Sequence, residues 1–291
     1  MPINKNLEPG QYQIGDLVMG PFTPFAIESI DIGNYDVNSQ DTQSMMSDEI
    51  RFGQDTFKPS PLQLTINVQV NRMVENVAAM MASVPQLNFA DDPNLHDLQR
   101  EWRAPETLKE WGAIKPLLFC GGDGITRQFY GRPGKFTYKK HRQAGSLFYQ
   151  CQAEFRRSDT FAYSDKEFYV DFAPNVPQTL TRTIGTAPSW VRFFIVGPAN
   201  HPVINWGTKQ IELDWNVEAG QIVEISSYPW QRRVVDNTGL SLAARIVTDR
   251  PYLDSIYFND HEPKLISWTA TGTNAVSKMR VLWHDGWQVM D

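Results

Sequence analysis

The chain has 291 residues, a formal net charge of −6 and two cysteines. That length allows one large or two ordinary domains with real cores. The charge argues against a strongly basic nucleic-acid binder, and the cysteine count excludes a disulfide framework or a thiolate metal site. No apolar run approaches the roughly 18 residues needed to span a bilayer. The N-terminal "MPINKNLEPGQYQ" lacks the charged start and apolar core of a signal peptide. The expectation is a soluble protein made in a reducing cytoplasm.

Charge is unevenly spread. Residues 1–60 hold nine acids against three bases, a local −6. Much of it lies in 34–55, a polar stretch too long for an ordinary connection, as functional or mobile loops are. The strand signal that follows is strong. In 62–70 Leu62, Leu64, Ile66, Val68 and Val70 alternate with polar residues, the period of a half-buried strand. Residues 71–84 and 91–102 read as helices, the second with Leu95, Leu98 and Trp102 at helical spacing and acids at its start. "PETLKEW" reads as a further short helix beginning at Pro105.

Four short strand-like runs come next, "KPLLFC", "ITRQFYG", "GKFTYKK" and "SLFYQCQAEF". Glycine-bearing stretches separate them. "GGDG" predicts a tight hairpin turn, and "RPG" at 132–134 predicts a second turn, with Pro fixing φ and Gly tolerating positive φ. Neither is followed by a helix, as a phosphate cradle requires. Lys139, Lys140, His141 and Arg142 form a basic patch at a hairpin end. With Phe136 and Tyr138 nearby, single-stranded nucleic acid is one reading; a solvated turn or a protein–protein salt-bridge surface is the plainer one. From about 174 the texture changes. "APNVPQTLTRTIGTAPS" reads as a linker, and short strand-like runs then recur to the C-terminus without a helical period, the signature of a β-sandwich. The domains are therefore expected at 1–173 and 174–291.

No chemistry-bearing motif emerges. HExxH, paired Cys-x-x-Cys, an EF-hand loop, a GxSxG elbow, a P-loop and a dinucleotide fingerprint are all missing from the sequence. His201, His261 and His284 read as surface hydrogen-bonding groups, and Cys120 and Cys151 as small hydrophobes within apolar strands. The expectation is a non-enzymatic chain with no catalytic residues, no cofactor and no metal. Seven of the nine tryptophans fall after residue 189. They suit core and interface packing, or stacking against sugar rings, for which Trp206 and Trp230 are the candidate contacts.

Three stretches in this order resemble a known family. "PFAIESIDIGNYDV" with "SDEIRFGQDTFKPSPLQLTINVQV" resembles the N-terminal sheet of distal tail proteins of long-tailed siphophages. "RQFYGRPGKFTY" with "FYQCQAEFRRSDTFAYSD" resembles the end of that domain, above all in minor tail proteins of actinobacterial phages. "GTAPSWVRFFIVGPANHPVINW" and "VLWHDGWQVM" resemble the family's C-terminal sandwich. The resemblance implies a mainly β chain, with a ring-forming N-terminal domain holding one or two helices and a galectin-like β-sandwich behind it. It implies a homo-hexameric ring in the virion tail tip, in contact with the tail-tube, tape-measure and hub proteins. DNA would pass through its lumen without specific binding, and no membrane is involved.

The galectin sugar-site pattern is not visible here, so the resemblance confers no sugar binding. A carbohydrate-binding host-recognition module is the alternative function, and a cell-wall enzyme a third. If a ring forms, Asp31, Asp36, Asp41, Asp48, Glu49 and Asp55 are candidates for its lumen wall, where like charge keeps DNA mobile. An acidic outer surface, or pairing with the next subunit's arginines, is the competing reading.

Overall fold

Strict alternation in Leu62–Gln69 produces the strand it predicts: Leu62, Leu64, Ile66 and Val68 are each 1% exposed or less. The computed structural model describes residues 6–32, 36–39, 41–43, 50–51, 56–69, 92–110, 112–143, 146–182, 184–247, 253–259 and 261–288. The chain is mainly β, with antiparallel sheets throughout. It divides into two compact units, Met1–Thr160 and Phe161–Met290.

In the first unit, β1 (Tyr12–Ile14) and β2 (Leu17–Met19) form a hairpin, and β3 (Phe25–Asp31) follows. Next come β4 (Asp36–Asn38), β5 (Thr42–Gln43), β6 (Ile50–Arg51) and β7 (Thr56–Lys58). Strand β4 pairs β7, and β5 pairs β6, so the described residues of the polar stretch 34–55 include strand where the sequence predicts only loop. Strand β8 is Leu62–Gln69. The helix expected over 71–84 lies outside the described residues.

Helix α1 (Pro93–Arg103) forms where the spacing predicts. Asp92 caps it, its Oδ1 accepting from the backbone N–H of Asn94 at 3.0 Å and Leu95 at 3.3 Å, with Pro93 opening the helix. Such a cap is worth about 1 kcal/mol. Ala104, at φ 39°, ends the helix in the left-handed region, and α2 (Glu106–Lys109) is a single further turn. Leu95, Leu98 and Trp102 are buried on one side of α1. Lys115 anchors its last turn, 2.7 Å from the Glu101 carboxylate.

Strands β9 (Leu117–Cys120) and β10 (Thr126–Phe129) pair through the "GGDG" hairpin, as expected. Gly124 takes φ +75°, and Asp123 Oδ1 accepts from the Ile125 N–H at 3.0 Å while its carboxylate also pairs with buried Arg127. "RPG" behaves differently from the turn expected of it. It lies inside β11 (Gly131–Gln143), which pairs β12 (Ser146–Arg157) along its length with a register shift between Pro133 and Phe136. Proline is tolerated there because a bulge on an edge strand leaves its missing N–H without a ladder partner to disappoint. The four-stranded sheet runs in the order β11-β12-β8-β3, and β2-β1-β9-β10 form a second antiparallel run.

The second unit opens with β13 (Ala162–Ser164), β14 (Phe168–Phe172) and β15 (Gln178–Leu180), followed by β16 (Ser189–Val196), β17 (Ala199–Trp206) and β18 (Lys209–Leu213). After β19 (Asn216–Val217) come β20 (Ile222–Ser226), β21 (Arg233–Asp236), β22 (Ile246–Val247) and β23 (Tyr257–Phe258). The last strands are β24 (Lys264–Thr271), β25 (Lys278–Trp283) and β26 (Gly286–Trp287). Two sheets, β14-β25-β16-β20-β21 and β15-β24-β17-β18-β22, form the sandwich. Beyond residue 190 the described residues hold only two 3₁₀ turns outside the strands, at Ala243–Arg245 and Leu253–Ser255.

The core between the sheets includes Val191, Phe193 and Ile195 of β16, Ile204 and Trp206 of β17, and Ile266 and Trp268 of β24. Its two most deeply buried tryptophans keep their N–H groups paired, as buried indoles usually do. Trp268 donates to the Phe172 carbonyl at 3.0 Å and Trp206 to that of Tyr257 at 3.3 Å.

The division at Thr160 falls ahead of the 173/174 boundary expected. Strand β14 explains this, because Phe168–Phe172 pairs with β25 and Phe172 enters the sandwich core. Nor is the proline-bearing stretch from 174 a linker. Its Gln178–Leu180 pairs with β24, and buried Arg182 donates to the Ala187 carbonyl and the Ser189 hydroxyl.

Candidate functional site

Among the described residues no group of three or more His, Cys, Asp or Glu side chains could hold a metal ion. The first unit offers sheet edges instead. In the order β11-β12-β8-β3 every neighbour is antiparallel, so β11 and β3 run in opposite directions. Among the described residues each is the end of the sheet, the position from which a strand can be paired by a neighbour. The two edges carry opposite charge. Arg132, Lys135, Lys139, Lys140 and Arg142 lie on β11 with no acid, and Glu28 and Asp31 lie on β3 with no base.

The sheet has two unlike faces. Buried Leu64, Ile66, Cys151 and Ala153 make one of them apolar. The other shows Gln63, Thr65 and Asn67 of β8 beside Gln150 and Gln152 of β12, so its centre is amide and hydroxyl rather than charge. Glu28 reaches onto this face and accepts from Gln150 at 2.8 Å and Asn67 at 3.2 Å.

At the start of β11 a groove of about 420 Å³ lies against α1 and α2. Trp102 forms its buried wall, 3% exposed, with its N–H on the Glu154 carbonyl at 3.0 Å and its ring 6.4 Å from Phe136. Leu108 on α2 also lines it and stands 78% exposed. Arg103, Arg132 and Arg156 complete it. Arg132 and Arg156 are partners in the β11–β12 register. Like charges directly opposite weaken a strand pair, and among the described residues none of the three arginines meets a carboxylate.

Of the acids singled out from the sequence, Asp31 and Asp41 are exposed, and Asp36 sits on β4. Asp48, Glu49 and Asp55 lie outside the described residues. The basic patch is strand rather than turn: Lys139 and Lys140 are exposed on β11, and His141 stacks on Phe148 at 5.4 Å. Sequence reasoning singled out this patch and passed over Arg103, Arg132 and Arg156. The five bases and no acid of 131–143 were the available signal, but strand pairing was needed to bring Arg156 and the helix end to them.

In the sandwich the two tryptophans named as sugar contacts part company. Trp206 is 1% exposed, packed edge-on against Phe193 and Phe258, so its ring belongs to the core and has no free face for a sugar. Trp230 is half-buried, stacked on Tyr228 at 4.9 Å and edge-on to Tyr163 at 4.6 Å. His284 also differs from expectation. It is 8% exposed, and its Nδ1 lies 2.8 Å from the Ser164 carbonyl, with burial holding its pKa below the ordinary histidine value.

The polar groups of this region are partly satisfied, since buried Arg192 Nε and Asp285 Oδ1 have no hydrogen-bond partner. Arg192 meets Glu167 at 2.6 Å, and Tyr228 donates to the same carboxylate at 2.7 Å. Burial pushes the Asp285 carboxyl up to about 6, with the Arg182 guanidinium at 3.9 Å only partly opposing the shift.

No family model matches the chain, and no curated protein matches it. The chain is a mainly β protein of two units, one with two oppositely charged sheet edges and the other a sandwich, and a solved structure shares that fold. The chain is similar over 95% of its length to 98% of the Dit (gp 19.1) protein of SPP1, at 13% identity and a TM-score of 0.59. That protein is described as a paradigm of the hub adsorption apparatus in Gram-positive-infecting phages. The chain also aligns over 94% of its length with 97% of a chain of the phage P2 baseplate in its activated conformation, at 9% identity and a TM-score of 0.46. The fold is that of SPP1 Dit.

Proposed function

We propose that the chain is a non-catalytic ring subunit of a phage tail tip, six copies around the tail axis joining the tail tube to the hub beneath. The observation that carries this reading is the pair of opposed edges on one four-stranded sheet. Laying β3 of one copy beside β11 of the next continues the antiparallel alternation and sets Glu28 and Asp31 against a strand of five bases. Such a contact uses two different surfaces, so it repeats around an axis and closes into a ring when the rotation allows. The fold shared with a hub protein supports the location.

In such a ring the polar sheet face turns to the axis. Gln63, Thr65, Asn67, Gln150 and Gln152 at its centre offer passing DNA amides and hydroxyls, and Lys139, paired with Gln150, is the cation this face carries at its β11 edge, so phosphate neutralisation by the centre of the face is small. The tube, tape-measure and hub proteins are the neighbours of this reading, in a virion part made in the host cytoplasm. The test is a residue-resolution reconstruction of the tail tip of the phage that encodes the chain. Six copies should surround the channel between tube and hub with β3 against β11. A location in the capsid, or off the tail axis, would end the reading.

A further inference from the structure

The sandwich carries an open cleft of about 700 Å³, lined entirely by residues of the second unit. At its centre His201 Nδ1 lies 3.1 Å from Asp214 Oδ1, and Arg245 reaches the other carboxylate oxygen at 4.0 Å. His201 arrives there on an unusual backbone. It sits at φ 47°, in the left-handed region, where the β17–β24 register shifts between Asn200 and Val203. Glycine is the residue that takes this region without strain. With its Nδ1–H given to Asp214, the histidine keeps Nε2 as an acceptor for a hydroxyl.

Trp215 supplies an apolar surface. Half-buried, it packs against the sandwich core, and the Arg245 guanidinium lies 5.8 Å over its ring. The turn after β21 is held firmly: Asp236 accepts from the backbone N–H groups of Thr238 and Leu240 at 2.9 Å and from Gln221 Nε2 at 3.0 Å. Asn237 on that turn accepts from the Ile222 N–H and keeps its NH₂ group free. The Asn216 amide and the Glu218 carboxylate, which also line the cleft, have no side-chain partner among the described residues. Donors and acceptors are thus set in place beside one aromatic ring, as in sites built to orient a small ligand.

We infer that the cleft around His201, Asp214, Trp215 and Arg245 binds a neutral saccharide. An anion would meet two carboxylates, Asp214 and Glu218, while the one guanidinium already faces Asp214 and Trp215. An apolar ligand would leave the amides and the carboxylate desolvated and unpaired. A sugar matches both halves of the lining, since each hydroxyl donates and accepts and the C–H face of the ring packs on an indole. The inference goes beyond the ring reading and does not rest on it. It also moves the sugar contact from Trp206 and Trp230 to Trp215.

The test uses the full-length chain. In one arm it is titrated with glucose, galactose, rhamnose, N-acetylglucosamine and their short oligomers, read by saturation-transfer NMR, with inorganic phosphate and heparin fragments as anionic probes. In the other it is incubated with purified bacterial cell-wall polysaccharide and recovered by pull-down. A neutral sugar should bind in at least one arm; the first finds a free ligand and the second a polymer-borne one. His201→Gly and Asp214→Ala should each weaken that binding about tenfold or more. The first variant separates binding from folding. Glycine accepts the left-handed backbone freely, so His201→Gly should unfold at no lower temperature than the natural chain while losing the sugar.

Should Asp214→Ala unfold, His201→Gly decides alone. No neutral sugar bound in either arm, or phosphate and heparin bound in their place, overturns the inference. So does binding that His201→Gly retains, or binding lost in Trp230→Ala but not in His201→Gly, which would put the sugar elsewhere on the sandwich. Each of these outcomes leaves the ring reading standing. Absence of the protein from tail tips overturns that reading separately, whatever the cleft binds.

Discussion

Asp285 is 2% exposed, and its carboxyl is held up to about 6 chiefly by burial. A carboxyl whose folded pKa lies above its unfolded value of about 3.9 stabilises the fold at acid pH. That contribution is complete below pH 4 and is lost as pH rises through about 6. Asp285→Asn should therefore flatten this part of the stability curve: urea midpoints of the natural chain and the variant should diverge between pH 4 and 6 and run parallel above pH 7. Burial likewise pushes the Cys151 thiol up to about 12 and raises that of Cys120. Both should resist alkylation at pH 8 in the native protein and react once it is unfolded, followed by mass spectrometry. Trp206→Ala removes a ring from the centre of the sandwich core and should cost about 3–5 kcal/mol in denaturant unfolding. Half-buried Trp230 should cost less when truncated.

At the scale of elements, β11 shows how one strand answers several demands. Gly131 begins it so close to β12 that a Cβ there would overlap the Arg156 carbonyl oxygen. Gly131→Ala should destabilise the chain by about 1–3 kcal/mol, as forced overpacking does, and the loss can be measured by thermal unfolding. Pro133 and the bulge after it bend the strand, and its lysines and arginines discourage pairing with another edge of the same kind. The opposite edge, β3, is short and acidic. In the ring proposed above, a strand that refuses its own kind and accepts the opposite edge would give the association a single direction.

For the whole molecule, the prediction concerns proteolysis. The stretch from 174 has the prolines of a linker, yet Gln178–Leu180 is part of a sheet and Arg182 is buried. Limited proteolysis of the native chain should spare 176–182, because a protease must unfold β15 from β24 to reach it. Early cleavage there would mean that this strand is not held. The two units each carry their own buried residues, so each fold can be described from its own strands.

How much was legible follows from the range of the forces involved. Leu62–Gln69, α1 and the "GGDG" hairpin were readable because alternation, helical spacing and an Asp-Gly turn are local signals that the backbone obeys within a few residues. The helix-free sandwich was readable for the same reason. "RPG" misled because the same φ preferences serve a turn or a bulge, and only the pairing of β11 with β12 across twenty residues decides between them. The 174–188 stretch misled because its partner, β24, lies far along the chain. Trp206 and Trp230 look alike in sequence, and only the packing of the two sheets buries one and leaves the other half-open. The sequence by itself determined Leu62–Gln69, α1, the β9–β10 hairpin, the helix-free run of strands after 190 and the charge each carries. Which strands became edges, and which arginines met in one groove, was decided by tertiary structure, because contact between distant residues depends on sheet order and no local preference encodes it.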